Sequence, residues 1–209
     1  MTGTLTINGY IMAGGASSRF GSDKALAVLA GKTMLERVLE LAAQSGIANA
    51  SVVGTARKYS GYGAVCIEDQ WPGEGPLGGI ITALEDAAKN RKDCQWNLIL
   101  SCDMPFLTCE WIRFLCQQAL ASPAQVIVPH TARGAEPLCA CWRTDAVTPL
   151  RNGFERGVRR VNDGIALLRS EVLDERDWKR FDSAGRLFWN MNTPADYEEA
   201  RRILEAEQT

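Results

Sequence analysis

A glycine-rich stretch between an apolar run and a helical pattern limits what this chain can fold into. The stretch covers residues 11–24 and reads Ile-Met-Ala-Gly-Gly-Ala-Ser-Ser-Arg-Phe-Gly-Ser-Asp-Lys. Residues 5–12 form an apolar run that is short enough for a strand, and apolar residues recur at helical spacing over 34–41. The order strand, glycine-rich loop, helix predicts part of an open α/β sheet, in which ligands bind at the carboxyl ends of the strands.

The composition of this loop suits a phosphate site. Gly14 and Gly15 lack the side chains that would keep a phosphate away from the backbone N–H groups. The hydroxyl donors and cations of the stretch are Ser17, Ser18, Arg19 and Lys24. A bare Gly-Gly pair would favour the alternative, an ordinary turn with two surface cations. Because the strand, the glycine pair and both cations occur together, we interpret the loop as a site for a nucleoside triphosphate.

Two other phosphate-binding patterns do not fit the sequence. Gly31-Lys32-Thr33 resembles the end of a P-loop, but that pattern needs a glycine five positions before Gly31, where the chain has Leu26. The loop also lacks the Gly-x-Gly-x-x-Gly pattern of dinucleotide-binding proteins. The loop therefore indicates a different class of nucleotide-binding protein.

Strand-like and helix-like segments alternate through most of the chain. The predicted strands cover residues 5–12, 50–54, 64–67, 96–101, 124–129, 136–142 and 187–189. The predicted helices cover about 34–44, 77–89, 108–120, 165–168 and 194–206, residues 145–151 and 153–163 are helical or irregular, and 169–186 has no clear pattern. This alternation predicts a single α/β domain over residues 1–209, with a mainly parallel sheet and helices on both faces.

Charge and hydropathy limit the partners of the chain. The formal net charge is −2 and no long basic stripe is present, so we expect no broad binding of nucleic acid. No apolar run approaches the roughly 20 residues of a membrane span, and the N-terminus lacks a signal-peptide pattern. We therefore expect a cytoplasmic protein that does not bind membranes.

The cysteines indicate a reducing compartment. The chain has seven of them, an odd number without Cys-x-x-Cys spacing, which favours reduced thiols. Cys139 and Cys141 lie in an alternating run, so both should point to one face of a strand. A metal role for this pair has no second pair to support it, and we predict small buried side chains instead.

Asp103 is the second residue that indicates a site. It follows the clearest pattern of a buried strand, 96–101, and precedes Pro105, which stiffens the turn. Mg²⁺ is commonly bound by one or two protein carboxylates together with substrate phosphates. The alternative is that Asp103 only caps the next segment. Because a triphosphate in the glycine-rich loop needs a metal partner, we predict that Asp103 binds Mg²⁺.

Taken together, these motifs resemble the molybdenum cofactor guanylyltransferase family of nucleotidyltransferases over about residues 7–199. The loop is similar to the family's Leu-Ala-Gly-Gly, Arg-Met-Gly and Asp-Lys signature, with Met12 in place of Leu and Phe20 in place of Met. The family's Cys-Asp-x-Pro and Asn-x-Asn-Thr-Pro motifs are matched at 102–105 and 190–194. One departure is Gly54, where guanylyl members often carry Asn.

The resemblance implies a role for each matching residue. The implied nucleotide-binding residues are Met12, Ala13, Gly14, Gly15, Lys24, Asp69, Gly78 and Asp103. The implied catalytic residues are Arg19, Lys24 and Asp103, with Asp103 as the metal ligand, and the implied acceptor-binding residues are Arg156, Arg159, Arg160, Asn190 and Asn192. A solvated charged face accounts equally well for at least one of these arginines, and helix capping by Asn192 or Thr193 accounts for part of the asparagine motif.

The implied fold is the three-layer Rossmann-like nucleotidyltransferase fold, and the implied reaction is Mg²⁺-dependent transfer of GMP from GTP to molybdopterin. The partners would be GTP, molybdopterin and molybdoenzyme chaperones. The chain has one histidine, His130, and transfer to an anionic phosphate needs no histidine base, whereas a Ser-His-Asp triad does. The alternatives are a cytidylyltransferase acting on molybdopterin or on a sugar or polyol phosphate, and a non-catalytic nucleotide-binding regulator.

Overall fold

A β-sheet forms the central layer of the protein. The structure is a computed structural model that describes residues 7–14, 23–48 and 50–207. Its strands are β1 (Asn8–Met12), β2 (Val28–Leu29), β3 (Lys32–Thr33), β4 (Ala50–Val53), β5 (Cys66–Ile67), β6 (Trp96–Ser101), β7 (Val126–Thr131), β8 (Gly134–Ala135), β9 (Cys139–Arg143) and β10 (Ser170–Leu173). Among the described residues the order in the sheet is β10-β7-β9-β6-β1-β4-β5, with β8 paired to β7, while β2 and β3 form a separate hairpin.

Most neighbouring strands of the sheet are parallel, as predicted. β1 pairs in parallel with β4 and β6, β4 with β5, and β7 with β10. β9 is antiparallel to both β6 and β7, so β7 runs in the same direction as β6. The carboxyl ends of β1, β4, β6, β7 and β10 therefore lie along one edge of the sheet, where ligands bind in such folds.

Helices cover both faces of the sheet. They are α1 (Met34–Gln44), α2 (Ala56–Tyr59), α3 (Pro76–Asn90), α4 (Cys109–Ala121), α5 (Val147–Glu155), α6 (Val161–Ile165), α7 (Glu175–Trp178) and α8 (Pro194–Ala206). Successive residues of β6 point to opposite faces: Leu98 and Leu100 pack in the apolar cluster that contains α1 and α4, and Ile99 packs in the cluster that contains α3 and α5. The predicted three-layer arrangement is confirmed.

Side chains at the helix starts explain several of these boundaries. Thr108 accepts a hydrogen bond from the backbone N–H of Trp111 and starts α4. Thr193 and Asp196 form a reciprocal capping box at the start of α8, whose first residue is Pro194. The predicted capping role of Thr193 is confirmed. None of the described helices combines the length and the apolar character needed to cross a membrane.

The sequence prediction is wrong at two places in the C-terminal part of the chain. Residues 187–189 are not a strand, because Leu187 and Phe188 lie in a turn and their side chains are buried by packing against the core. The last strand is instead β10, which the sequence analysis missed. β10 pairs with β7 on one side, and two of its four residues are exposed, so it lacks the continuous apolar pattern of a central strand.

Two further predicted elements are shorter in the structure. The predicted strand over 64–67 is reduced to Cys66 and Ile67 in β5. The predicted helix over 165–168 is only the end of α6 followed by a turn. Both segments lie at the margin of the sheet or of a helix pair, where few neighbours support regular structure.

Candidate functional site

An open cavity of about 200 Å³ lies at the carboxyl ends of β1 and β6. Its lining residues are Met12, Ala13, Gly14, Asp23, Lys24, Ala25, Pro76, Ser101, Cys102, Asp103 and Leu138. The glycine-rich stretch and the Cys-Asp-x-Pro motif, far apart in the sequence, therefore contribute to one cavity. It lies where open α/β sheets bind ligands.

Lys24 links three of the sequence motifs inside this cavity. Its Nζ lies 2.7 Å from Asn192 Oδ1 and 3.4 Å from Asp103 Oδ2. The Lys24 and Asp103 side chains are 19% and 25% exposed, so water screens their ion pair only partly. The Ser101 hydroxyl donates to Asp103 Oδ1 at 2.6 Å, and the Met191 backbone N–H donates to the Asp103 carbonyl at 2.8 Å. The Asn-x-Asn-Thr-Pro segment is thus attached to the end of β6.

Asp23 and Tyr59 hold the described residues on either side of the glycine-rich segment. Asp23 Oδ1 accepts from the backbone N–H of Ala25 at 3.1 Å, which fixes the turn that carries Lys24. The Tyr59 hydroxyl contacts Asp23 Oδ2 at 2.8 Å and also the carbonyl oxygen of Ala13. Neither role is predicted from the sequence, and Tyr59 carries no local signal because it contacts Ala13 and Asp23 from α2.

Asp69 and Gly78 do not belong to the cavity lining. Asp69 Oδ1 accepts from the backbone N–H of Trp71 at 3.0 Å and from the Thr82 hydroxyl at 3.3 Å. A Cβ atom at Gly78 would lie 2.6 Å from the Cβ of Trp71, so glycine is needed here for close packing. Both residues shape the loop before α3, and their contact with a nucleotide stays a prediction.

The three predicted acceptor-binding arginines lie between α5 and α6. Arg159 is paired, because its Nε is 2.7 Å from Glu74 Oε2 and its guanidinium lies 4.0 Å above the Phe154 ring. Arg156 and Arg160 are exposed. Glu74 lies just before α3, and Pro76, the first residue of α3, lines the cavity. The Arg159–Glu74 ion pair therefore holds the arginine segment on the α3 side of the site.

The remaining predicted site residues are Asn190, Gly15 and Arg19. Asn190 is half-buried and lies two positions before Asn192. Gly15 and Arg19 lie outside the described residues, as do Ser17, Ser18, Phe20 and Gly21 of the same loop. Their assignments therefore stay predictions.

The carboxylates of the cavity are compatible with a magnesium ion. Asp103 and Asp23 both line it, and no group of three or more His, Cys, Asp or Glu side chains gathers anywhere in the described part of the chain. Mg²⁺ does not require a full set of protein ligands, since it keeps several waters and takes one or two carboxylates beside substrate phosphates. The oxygen donors present fit that ion better than zinc, which is bound mainly by cysteine and histidine.

The buried thiols are poorly suited to nucleophilic attack or metal binding. All seven cysteines are free, and Cys139 and Cys141 are fully buried in the same apolar cluster, as predicted. Burial raises the pKa of Cys139 to about 12, and it also raises the pKa of Cys102 at the cavity wall. These thiols remain protonated at neutral pH and are poor nucleophiles or metal ligands.

Several known proteins are similar to this chain. Residues 9–169 match the family model described as MobA-like NTP transferase domain. A molybdenum cofactor guanylyltransferase from Rhodopseudomonas palustris (strain BisB5) is 32% identical, with 92% of this chain and 91% of the relative covered. A probable molybdenum cofactor guanylyltransferase from Deinococcus radiodurans is 33% identical, with 93% of this chain and 94% of the relative covered.

Solved structures show the same fold. The structure of molybdopterin-guanine dinucleotide biosynthesis protein A from Archaeoglobus fulgidus has a TM-score of 0.82 at 25% identity, with 96% of this chain and 100% of that chain covered. A CMP:2-keto-3-deoxy-manno-octonic acid synthetase has a TM-score of 0.68 at 17% identity, with 99% of this chain and 100% of that chain covered, which shows the fold alone. The expected nucleotidyltransferase fold is confirmed.

Proposed function

The chain belongs to the MobA-like NTP transferase family, and on that premise we propose that it transfers GMP from GTP to the phosphate of molybdopterin and releases pyrophosphate. One observation carries the proposal. The glycine-rich stretch, the Cys-Asp-x-Pro motif and the Asn-x-Asn-Thr-Pro motif meet at Lys24, whose ammonium contacts both Asp103 and Asn192. The curated relatives described above have this activity in their names and match the chain over most of its length.

The reaction exchanges one phosphoanhydride bond for another. An oxygen of the molybdopterin phosphate would attack the α-phosphorus of GTP and form a new P–O bond, while the bond between the α-phosphorus and the bridging oxygen to pyrophosphate breaks. The attacking phosphate is already anionic, so no side chain has to remove a proton from it. Catalysis then depends on alignment and on neutralising the charge of the phosphates.

Lys24 would supply the positive charge at the triphosphate. Its ammonium is partly shielded from water and is already held in the cavity by two oxygen atoms. The backbone of residues 12–14 lines the same cavity and would lie along the nucleotide, with Asp69 and Gly78 on its α3 side. Gly15 and Arg19 would complete this half of the site.

We further propose that Asp103 binds Mg²⁺, with Asp23 as the second carboxylate of the cavity. When bound, the ion would neutralise phosphate charge as it develops in the transition state. The Ser101 hydroxyl, which donates to Asp103 Oδ1, orients the carboxylate so that Oδ2 faces Lys24. Ser101 therefore helps to present Asp103 to the phosphates.

The acceptor would contact the C-terminal segment beside Lys24 and the arginine segment between α5 and α6. Asn192 contacts the ammonium from the C-terminal segment, and Asn190 precedes it in the same segment. Arg159 pairs with Glu74, whereas Arg156 and Arg160 are exposed and do not contact Glu74. Arg156 and Arg160 are therefore better candidates than Arg159 for binding the acceptor phosphate. The product would then pass to a molybdoenzyme or to its chaperone.

The test begins with the nucleotide. The purified protein is melted with GTP, CTP, UTP or ATP in the presence of Mg²⁺, and a nucleotide at 100 times its dissociation constant should stabilise it by about 2.7 kcal/mol.

Pyrophosphate release and guanylyl transfer are then measured with molybdopterin as the acceptor. Transfer from CTP in place of GTP would indicate a cytidylyltransferase. Binding without pyrophosphate release would indicate a regulator.

A further inference from the structure

We infer that Tyr59 is a positioning residue that holds the two described ends of the glycine-rich segment in the arrangement that binds the triphosphate. The inference rests on the proposed function, because it assumes that the cavity beside Lys24 receives a nucleoside triphosphate. Tyr59 does not line the cavity, so it acts through the residues that do.

Tyr59 approaches the glycine-rich segment beside a residue that has no side chain. It is the last residue of α2 and only 2% exposed. Its ring lies against Gly54, the residue that follows β4, where an added Cβ would be 2.9 Å from Tyr59 Cε2. Any side chain at position 54 would therefore push the ring away. The absence of a side chain at Gly54 is what brings the phenol under the cavity.

The hydroxyl of Tyr59 contacts both sides of the segment. Ala13 marks the point where the chain leaves the sheet: its backbone N–H still donates to the Val53 carbonyl at 3.0 Å, and its own carbonyl contacts the Tyr59 hydroxyl. Asp23 lies on the other side, with Oδ2 at 2.8 Å from the same hydroxyl. The Tyr59 hydroxyl thus connects Ala13 and Asp23, which flank the loop in the sequence.

Asp23 connects the Tyr59 hydroxyl to the turn that carries Lys24. Its other oxygen, Oδ1, holds the backbone N–H of Ala25 at the start of the short turn that carries Lys24. A second cation, Lys58, lies 3.3 Å from Asp23 Oδ2, but it is largely exposed and contributes less. The buried phenol is therefore the main side-chain partner that fixes Asp23 Oδ2.

A hydroxyl at this place does more than fill space. The Tyr59 hydroxyl lies between the Asp23 carboxylate and the Ala13 carbonyl, whose oxygens can only accept, so the hydroxyl is the donor of this arrangement. The ring alone would satisfy the packing. Holding both ends of a loop before the ligand arrives reduces the entropy lost on binding. The Tyr59 hydroxyl should therefore affect nucleotide affinity and leave the chemical step at Asp103 unchanged.

The test is Tyr59→Phe, which keeps the ring and removes the hydroxyl. The dissociation constant for GTP with Mg²⁺, measured by calorimetry, should rise roughly 10-fold, as expected for loss of a hydrogen bond to a charged group. KM for GTP should rise by a similar factor while kcat stays within about twofold. Tyr62→Phe is the matched control, because it removes the same atom from a half-buried tyrosine that does not line the cavity.

A double-mutant cycle with Gly54→Ala tests the connection itself. The added Cβ would lie 2.9 Å from Tyr59 Cε2 and displace the ring together with its hydroxyl, so the two substitutions together should raise the GTP dissociation constant by less than the product of their separate effects. If Tyr59→Phe fails to fold, Gly54→Ala alone must still weaken GTP binding.

Three results would overturn the inference while leaving the proposed function intact. These are parental GTP affinity in Tyr59→Phe, an equal loss of affinity in Tyr62→Phe, and a fall in kcat without a change in KM. If the parent protein binds no nucleoside triphosphate, it is the proposed function that fails.

Discussion

At the scale of single residues, the cavity is arranged around the ammonium of Lys24. Asp103 and Asn192 both accept from it, and Ser101 holds the remaining oxygen of Asp103. The positive charge and the carboxylate therefore neutralise each other while the site awaits its substrates. A triphosphate brings oxygens of higher charge, so the ammonium can exchange its present partners for phosphate.

Lys24→Ala should weaken the binding of GTP far more than that of guanosine. The ammonium acts on phosphate as a point charge, and losing a charge-assisted hydrogen bond should raise the GTP dissociation constant about 10-fold or more. Calorimetry with both ligands measures the difference. Lys32→Ala is the control, since Lys32 pairs with Glu40 on the surface. An unchanged GTP affinity would remove Lys24 from the site.

Asp103→Asn should reduce turnover much more than nucleotide binding. The substitution keeps the size of the side chain and removes the charge proposed to bind Mg²⁺, and losing one such group commonly lowers the rate on the order of 10²-fold. Because the carboxylate is paired with Lys24 and Ser101, stability should fall slightly. Guanylyl transfer at saturating GTP, with a melting curve alongside, measures both effects.

The control for this substitution is Asp93→Asn, since Asp93 is exposed. It should leave both turnover and the melting temperature close to those of the parent. A folded Asp103→Asn protein with parental turnover would show that Asp103 serves only the turn after β6.

At the scale of secondary-structure elements, β1 and β6 carry the site at one end and are fixed to each other at the opposite end. Asn8 Nδ2 donates to Asn97 Oδ1 at 2.8 Å, and Asn97 Nδ2 donates to the Trp142 carbonyl and the Thr144 hydroxyl, both at 3.0 Å. Asn97 is fully buried. This polar contact fixes which residues of the two strands lie side by side.

Asn8→Ala should lower the free energy of unfolding by about 1–3 kcal/mol, because the buried Asn97 Oδ1 would lose its hydrogen-bond donor. Urea denaturation measures the loss. The affinity for GTP should stay unchanged, since the pair lies at the opposite end of the strands from the cavity. Asn90→Ala is the control, because its amide donates to Asp86 on the surface. Equal stability of the two variants would contradict the prediction.

The elements differ in how far the sequence predicts them. β6 is mainly apolar and all six of its residues are buried, so it is predicted together with the Asp103 that follows it. β10 owes its conformation to β7, and only Leu173 among its residues is buried, so local sequence gives little sign of it. A strand that is buried on both faces can be predicted from its own sequence. A strand whose conformation depends on pairing with a distant strand cannot.

The site shows the same division. Lys24 and Asp103 each belong to a local motif, and their meeting follows from the parallel pairing of β1 and β6. Tyr59 belongs to no motif, because its role depends on the missing side chain at Gly54 and on the position of α2. Contacts of this kind arise only in the folded chain.

At the scale of the whole molecule, apolar burial determines which cysteines can react. Cys102, Cys116, Cys139 and Cys141 are buried, whereas Cys66, Cys94 and Cys109 are partly exposed. Burial raises the pKa of Cys141 as it does that of Cys139 and Cys102. The folded protein thus protects the four thiols of one apolar cluster, including one at the cavity wall.

With a disulfide reagent at pH 8, at most the three partly exposed cysteines should react in the native protein, and the other four should react only after unfolding. Rapid reaction of all seven in the native protein would contradict the burial.

The raised pKa of the buried thiols also makes the free energy of unfolding depend on pH. Their stabilisation is complete below the unfolded value of about 8.5 and is lost as pH rises above it, because the unfolded chain then releases protons that the folded chain keeps. The urea midpoint should therefore be lower at pH 10 than at pH 8.

The contact between Lys24 and Asn192 joins residues that are 168 positions apart. A ribosome makes the chain from its N-terminus, so Lys24 and Asp103 emerge well before Asn192. The nascent chain can form much of the sheet during this interval, but it still lacks the Asn192 amide that contacts Lys24 and the Met191 backbone N–H that donates to the Asp103 carbonyl. The site is therefore completed only after every described strand has been made, and a chain that stalls before residue 192 would hold the proposed substrates poorly, however well its sheet has folded.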